Sequence, residues 1–406
     1  MYPYNINFSK ANKFESRLLQ ILALSSIICV IPAFQEFVSA TMSGRILNII
    51  CMCTCLFFFS QYSYLLDRIG WLYCISLIII IPFHYGISTV DNPVRDSIRW
   101  INIILLFYLY KGKKIDVKWL IYTAFLFYFI ECSLCIIEKI GNFYFINYTN
   151  ANAMTATNLE ADEYDSEMFR SRGLLLHPLY NANVISIFMG FILVSNKFKR
   201  PIQIALLFLG FLAIWGCNSR ACIAIWLLIL LYRFFLYNMK ILHILLGVVS
   251  LYLIVPWLID FIQESGVFGR FNMDFSDSSS ETRFIAYTLF FSYPWTIEDI
   301  IIGLGDWIYY PLSEISLENG FLLNWAYWGW IIGSIKSFSE IYLTYRCLHL
   351  YKLKDKLIII AAVWGVASAN NNMVSILILS FFFLANIGFG IKDHSTDVFR
   401  FKSTLN

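Results

Sequence analysis

Residues 118–137 read KWLIYTAFLFYFIECSLCII, a stretch in which Lys118 and Glu131 are the only charged residues. The run has the length of roughly 20 residues that a helix needs to cross the hydrocarbon of a bilayer. Its apolar residues are continuous rather than alternating, which favours a helix over a strand of a membrane barrel. Further apolar segments lie at 18–34, 46–61, 70–87, 98–110, 180–196, 202–217, 221–237, 241–262, 321–345, 357–369 and 373–390. We therefore expect an all-α polytopic membrane protein with about 12 transmembrane helices.

The composition points to the same class. Of 406 residues, 59% are hydrophobic and 14% are charged, and the mean hydropathy is +0.65. A soluble domain is nearer half apolar and a quarter charged, so this chain has more apolar surface than a soluble fold can bury. The net charge of +3 is too small to indicate a nucleic-acid-binding protein.

Lys and Arg residues predict the orientation in the membrane. With the N-terminus inside, about 20 of the 30 basic residues fall on the cytoplasmic side, and twelve spans place both termini there. Two long loops then lie on the outer face, and long loops in compact chains are usually functional. In the second loop, the apolar stretch 284–295 predicts a helix on the membrane surface. The predicted regions are 1–137 (helices 1–5), 138–179 (first loop), 180–262 (helices 6–9), 263–320 (second loop) and 321–406 (helices 10–12 and a cytoplasmic tail).

Arginine predominates among the basic residues in and beside the two long outer loops. The arginines are Arg170, Arg172, Arg220, Arg270 and Arg283. A guanidinium group offers a planar fork of donors that matches phosphate oxygens and does not lose its proton. The set therefore predicts an anion site for a pyrophosphate at headgroup level. The alternative is that each arginine only reaches to lipid headgroups from a helix end.

Motifs from about 170 to 333 resemble those of the Wzy-type O-antigen polymerase and O-antigen ligase superfamily. The first stretch is Arg172-Gly173-Leu174, His177-Pro178 and Asn181, which resembles an R-x-G…h-P-N motif. Asn218-Ser219-Arg220-Ala221 at the start of an apolar helix resembles the S-R turn of that family. The second-loop resemblance consists of Thr282-Arg283, Pro294, Gly303-Leu304-Gly305-Asp306, Asn319 and Gly329-Trp330-Ile331-Ile332-Gly333.

The resemblance implies a glycosyltransferase of the bacterial inner membrane that needs neither metal nor cofactor. It would transfer a glycan, with inversion, from undecaprenyl pyrophosphate on the periplasmic face during lipopolysaccharide biosynthesis. The acceptor is another lipid-linked repeat unit for a polymerase, or lipid A–core for a ligase. Arg172 and Arg283 would stabilise the charge of the departing pyrophosphate. Arg170, Arg220 and Arg270 would assist in binding the substrate.

Two positions are candidates for the base that assists the acceptor hydroxyl. Ligases of the superfamily have a His-Asn pair just before the helix that follows the second loop, and this chain has Glu318-Asn319 there. The departure favours the polymerase, makes Glu318 a candidate base and leaves Asn319 as a substrate contact. Glu318 is equally explained as an acidic residue near a helix start. His177 is the second candidate, although a histidine beside a proline at a helix start is more often structural.

Several alternatives remain open from the sequence. Two alternatives are enzymes: an O-antigen ligase, and a polymerase of another surface polysaccharide. The third is a flippase for lipid-linked oligosaccharide. A flippase is expected to have charges within its spans, where Glu131 and Lys336 are the main ones. The acidic residues of 160–167 are interpreted as a solvated loop face rather than a metal site, and Cys132 and Cys135 as buried thiols. A polymerase is also expected to work with a chain-length regulator of the polysaccharide co-polymerase class.

Overall fold

The structure is a computed structural model. It describes residues 66–87, 118–145, 169–195, 197–236, 287–304, 319–369 and 377–390, with single positions in the predicted spans 46–61 and 98–110 among a few others. The described ranges contain helices and no strand, which confirms the all-α class. Of the predicted site residues, Arg270, Arg283 and Glu318 lie outside the described residues, as do the acidic loop residues 160–167 and the predicted span 241–262.

The helices of the described ranges are numbered in chain order. They are α1 Arg68–Ile87, α2 Lys118–Gly141, α3 Pro178–Val194, α4 Arg200–Cys217, α5 Arg220–Leu231, α6 Ile297–Ile302, α7 Gly320–Trp328, α8 Trp330–Cys347, α9 Leu353–Ile360, α10 Val366–Ala369 and α11 Leu377–Phe389. The π-helical turn Tyr232–Leu236 continues α5, and a second π-helical turn, Ala361–Gly365, joins α9 to α10.

Helix α3 lies at the centre of the bundle. Nearly all of its residues are buried, and it contacts α2, α4, α9 and α11. Close packing depends on a small residue, because a Cβ at Gly190 would lie 2.9 Å from the Cβ of Ala362. The polar Ser186 is satisfied within the core, where its hydroxyl donates to the Ala182 carbonyl and accepts from the Trp226 indole. A helix buried on all sides explains why this segment is apolar around its whole circumference.

Within the described ranges, the observed helices match the predicted apolar segments to within a few residues, but the segment 321–345 is not one helix. The predicted segment 18–34, apart from Ile31, lies outside these ranges. The chain reverses at Gly329, whose φ of +83° is a conformation that favours glycine. Helices α7 and α8 then pack against each other, and the Asn324 amide donates to the Gly333 carbonyl at 3.1 Å. The prediction of a single helix was wrong because glycine is common in apolar helices and hydropathy does not detect a reversal of the chain.

Helix α1 packs against α8 through polar contacts at two levels. The Asp67 carboxylate, just before α1, forms an ion pair with Arg346 in the last turn of α8. Further along, the Tyr73 hydroxyl donates to Glu340 at 2.7 Å, and Glu340 also pairs with Lys336 at 2.7 Å. The two helices therefore run antiparallel, with Asp67 and Arg346 at one end of the bundle.

Two of the described helices are long and apolar enough to cross a membrane, and they cover Trp119–Gly141 and Arg200–Cys217. The shorter apolar helices are Arg68–Ile79, Pro178–Val194 and Leu377–Phe389. Both long helices expose large apolar side chains, such as Leu126 and Phe208. These features are in line with membrane association, and the number of twelve spans stays a prediction.

Candidate functional site

The candidate site is built on the segment 169–177, which the buried carboxylate of Glu138 holds against the end of α2. One carboxylate oxygen, Oε2, accepts the backbone N–H groups of Arg172 at 2.7 Å and Gly173 at 2.9 Å. The other oxygen accepts the N–H of Phe145 at 3.3 Å. Glu138 therefore ties the chain just after α2 to the chain just before α3. Because hydrogen bonds to a charged acceptor are stronger than neutral ones, this contact fixes the backbone of Arg172.

A second glutamate, two turns earlier on α2, holds the next residue of the segment. The carboxylate of Glu131 accepts the N–H of Leu174 at 3.1 Å. Gly173 lies between the two acidic contacts with a φ of +47°. A Cβ at Gly173 would lie 2.4 Å from Glu131 Oε1 and 2.9 Å from Asn181 Nδ2. Only glycine fits this position, which is a physical reason for the glycine directly after Arg172.

The C-terminal end of α4 holds the other side of the segment. The N–H of Ser171 donates to the Gly216 carbonyl at 3.0 Å, and Arg170 Nε donates to the Cys217 carbonyl at 3.3 Å. These carbonyls belong to the last turn of a helix, where they have no partner within the helix. A guanidinium group at this position is also favoured by the helix dipole.

The guanidinium of Arg172 lies over an aromatic ring. Its Cζ is 4.1 Å from the ring centroid of Tyr144, and Arg172 is only 8% exposed. The Tyr144 ring stacks on Phe169 at 4.8 Å, and its hydroxyl donates to the Arg170 carbonyl at 3.3 Å. The stacked guanidinium is thus held in one plane, an arrangement suited to recognition of an anion by a fixed fork of donors.

Arg220 lies at the same end of the bundle, at the first position of α5. Asn218 takes the left-handed conformation that ends α4, with φ of +49°, and the Ser219 hydroxyl caps α5 by accepting the N–H of Cys222. Arg220 thus follows, by three residues, the Cys217 carbonyl that Arg170 contacts. The structure brings three of the five predicted arginines to this end, Arg170 and Arg172 in one segment and Arg220 at the adjacent turn.

His177 occupies the N-cap position of α3, and its side chain makes no capping hydrogen bond. Its ring lies 4.7 Å from that of Tyr180, and Nδ1 is buried without a hydrogen-bond partner. Burial, followed by the positive charges of Arg170 and Arg172, lowers the pKa of His177 from 6.5 to about 4. The imidazole is therefore neutral at pH 7, and the lowered pKa makes it a weaker base than an exposed histidine.

Asn319 has a structural role that the sequence interpretation did not include. It is the N-cap of α7, and its side-chain oxygen accepts the N–H groups of Phe321 at 3.0 Å and Leu322 at 3.2 Å. Such a cap stabilises a helix by about 1 kcal/mol. The side-chain oxygen is committed to the helix start, so a substrate contact by Asn319 would depend on its amide nitrogen.

The sequence interpretation missed Glu138, did not connect Tyr144 with the arginines, and treated Glu131 only as a charge within a span. The spacing of Glu131 and Glu138 could have indicated their role, because residues seven apart lie on one face of a helix. Acidic groups in or beside an apolar helix need polar partners, and here the partners are backbone N–H groups.

Cys132 and Cys135 are buried free thiols, as expected. In the described part of the chain, no group of three His, Cys, Asp or Glu residues has the geometry of a metal site.

No protein-family model matches the chain, and no curated protein is significantly similar to it.

Proposed function

We propose that the protein is a multi-pass enzyme of the bacterial inner membrane, with both termini in the cytoplasm, that polymerises undecaprenyl-pyrophosphate-linked repeat units into O-antigen or a related surface polysaccharide. The observation that carries the proposal is the pair Arg170 and Arg172 in a segment clamped by Glu138 and by the end of α4. Because the segment is held in place before substrate binds, its guanidinium groups can stabilise charge that develops during the reaction.

The reaction exchanges one bond at the anomeric carbon of the donor glycan. The bond from this carbon to the pyrophosphate oxygen breaks, and a bond to the acceptor hydroxyl oxygen forms. Negative charge grows on the leaving pyrophosphate, where Arg172 would stabilise it more in the transition state than in the ground state. The acceptor loses a proton, and the neutral His177 is a candidate to receive it. Glu318 remains the second candidate, and Arg283 and Arg270 would complete the anion site.

The sides of the membrane predicted from charge agree with the packing. Asp67 and Arg346, which form an ion pair, were both predicted at the cytoplasmic face. Arg170 and Cys217, which share a hydrogen bond, were both predicted at the outer face. Lys197, predicted inside, donates to the carbonyl of Gly388 near the cytoplasmic end of the last helix. Three independent contacts therefore support the topology on which the periplasmic site depends.

The experiment is a lipopolysaccharide gel from a strain that lacks the gene, with and without the gene restored. Core carrying a single repeat unit is the expected result, because export and ligation work and polymerisation fails. Bare core with long glycan accumulating on undecaprenyl pyrophosphate would instead identify a ligase. Unchanged, full-length polymer in the deletion strain would refute the proposal.

One observation favours a second candidate, a flippase for lipid-linked oligosaccharide. The segment predicted to cross the membrane contains the fully buried pair Lys336 and Glu340, with Trp100 3.7 Å from the Lys336 ammonium. One oxygen of Glu340, Oε2, is buried without a hydrogen-bond partner. Charges inside spans often line transport paths. Bare core without accumulated polymer in the deletion strain would support this candidate over the polymerase.

A further inference from the structure

A cluster of aromatic side chains joins the second loop to the α7–α8 hairpin, apart from the main core. Phe290 lies at its centre and is fully buried. The rings of Tyr293, Trp295, Trp325 and Trp330 surround it and are each only partly buried, so that four aromatic surfaces remain in part accessible. We call these four residues the aromatic platform.

The platform has a fixed geometry. The Trp295 and Trp330 rings are 5.7 Å apart, and Trp325 stacks on Trp330 at 5.8 Å. Tyr293 contacts Trp295 at 4.9 Å. The Trp295 indole donates to the Phe290 carbonyl at 2.9 Å, which fixes the orientation of that ring. The rings are therefore already ordered, so little side-chain entropy is lost when a ligand stacks on them.

Backbone contacts hold the two halves of the platform together. The N–H of Leu304 donates to the Ala326 carbonyl at 2.8 Å. A Cβ at Gly303 would lie 2.3 Å from the backbone nitrogen of Gly329, so the loop and the hairpin touch at two glycines. The glycine of the second-loop motif is thus explained by this close approach rather than by contact with a substrate.

The platform is at the same end of the bundle as the Arg172 segment. Trp330 is the first residue of α8, and Tyr351, just beyond the last residue of α8, lies 6.2 Å from Phe191 near the end of α3. The start of α3, which follows the Arg172 segment, is therefore on the Trp330 side of the bundle. The platform and the arginines therefore belong to the face that the charge pattern predicts to be periplasmic.

The charge of the surroundings distinguishes sugar from phosphate as the ligand. Residues 287–304 and 320–335 contain no Lys or Arg, and the charged residues within them are Glu298 and Asp299. Lys336 follows directly, but it is fully buried and paired with Glu340, so these two described segments present no free cation to an anionic headgroup or a pyrophosphate. A sugar, in contrast, presents an apolar C–H face to aromatic rings and hydroxyl groups to acidic side chains. In addition, the Trp330 indole N–H is buried without a hydrogen-bond partner, which is costly unless a ligand hydroxyl or an ordered water completes it.

From these observations we infer that the aromatic platform Tyr293–Trp295–Trp325–Trp330 is a binding subsite for sugar rings of the glycan. The platform would hold the glycan by its apolar faces, while the Arg172 segment holds the pyrophosphate. A role in glycosyl transfer rests on the proposed function, but binding of the glycan by the platform does not. The alternative is that the four residues only anchor the protein at the membrane interface, as Trp and Tyr often do.

The test uses the full-length protein in nanodiscs. The probe is the water-soluble repeat-unit glycan, released by mild acid from the pyrophosphate-linked lipid pool of the deletion strain. Loss of one stacking ring in Trp330→Ala or Trp295→Ala should raise the Kd for this glycan about tenfold. Trp330→Phe keeps an aromatic face and should retain most of the affinity. Trp119→Ala is the matched control, because Trp119 is 61% exposed on α2 and lies outside the platform.

The outcomes separate the inference from the proposed function. Weaker glycan binding in the platform variants, with normal binding in Trp119→Ala, supports the subsite whatever the deletion strain shows. Wild-type affinity in folded Trp295→Ala and Trp325→Ala proteins, or failure of the wild-type protein to bind the glycan, would overturn it. If Trp330→Ala does not fold, Trp295→Ala and Trp325→Ala decide the question, since both leave the first residue of α8 intact. A normal polymer in the deletion strain would refute the polymerase alone.

Discussion

Replacing Glu138 by alanine tests whether one buried carboxylate organises the candidate site. The change removes the acceptor of three backbone N–H groups, those of Arg172, Gly173 and Phe145. Arg172 and Gly173 are buried, and each buried N–H left without a partner costs about 1–3 kcal/mol. We therefore expect Glu138→Ala to lower the free energy of unfolding by about 2–5 kcal/mol. The matched variant Glu138→Gln keeps one oxygen acceptor and should cost about 1 kcal/mol.

Thermal unfolding of the purified full-length protein measures the loss of stability, and the lipopolysaccharide gel of the complemented deletion strain measures the loss of function. Lys352→Gln is the control, because Lys352 is exposed just before α9 and its side chain lies outside both the clamp and the aromatic platform. If Glu138 acts by placing Arg172, the combined Glu138→Gln and Arg172→Lys protein should lose less activity than the sum of the two single losses. A Glu138→Ala protein with the wild-type Tm and polymer would refute the reasoning.

Three further predictions follow from the described contacts. Arg172→Lys keeps the charge but loses the planar fork over Tyr144, so polymer length on the gel should fall at unchanged protein level, and full-length polymer would count against a bidentate phosphate contact. His177 has a pKa of about 4 in the folded protein, below its usual 6.5, so the unfolded chain binds more protons between these two pH values. Stability should therefore fall as the pH drops from about 6.5 to 4. His177→Gln should flatten the dependence of Tm on pH in this window, and an unchanged slope would contradict the lowered pKa. Lys336→Met leaves Glu340 buried without its cation and should lower the free energy of unfolding by about 3–5 kcal/mol. Adding Glu340→Gln to this variant should restore much of the Tm. Equal Tm values for the single and double variants would refute the ion pair.

Much of the secondary structure could be predicted from the order of residues because hydropathy is a local property. The apolar segment predicted as 118–137 forms α2, which begins at Lys118 as predicted and ends at Gly141, a few residues later. The starts of α3 and α4 each lie two residues before the predicted positions, and each helix has a proline in its first turn, Pro178 in α3 and Pro201 in α4. Proline is favoured there because its missing N–H is not needed by the helix.

The candidate site could be predicted only in part. Guanidinium chemistry and the resemblance to a known superfamily singled out Arg170, Arg172 and Arg220, and the structure brings all three to one end of the bundle. The hydrogen-bond partners of these arginines could not be predicted from the sequence. The hydrogen bond from Arg172 to Glu138 spans 34 residues, and the one from Arg170 to Cys217 spans 47. No periodicity connects such positions.

The sequence by itself determined the all-α class, the positions of most of the described helices and the concentration of arginines in and beside the two predicted loops. Apolar runs and side-chain type are sufficient for these conclusions, since each depends on neighbouring residues or on the chemistry of one group. Tertiary structure alone decided that the chain reverses at Gly329, that Glu138 clamps the backbone of Arg172, and that the aromatic platform forms. These features arise where distant backbones approach closely, and the free energy of such an approach depends on which buried donors and acceptors meet.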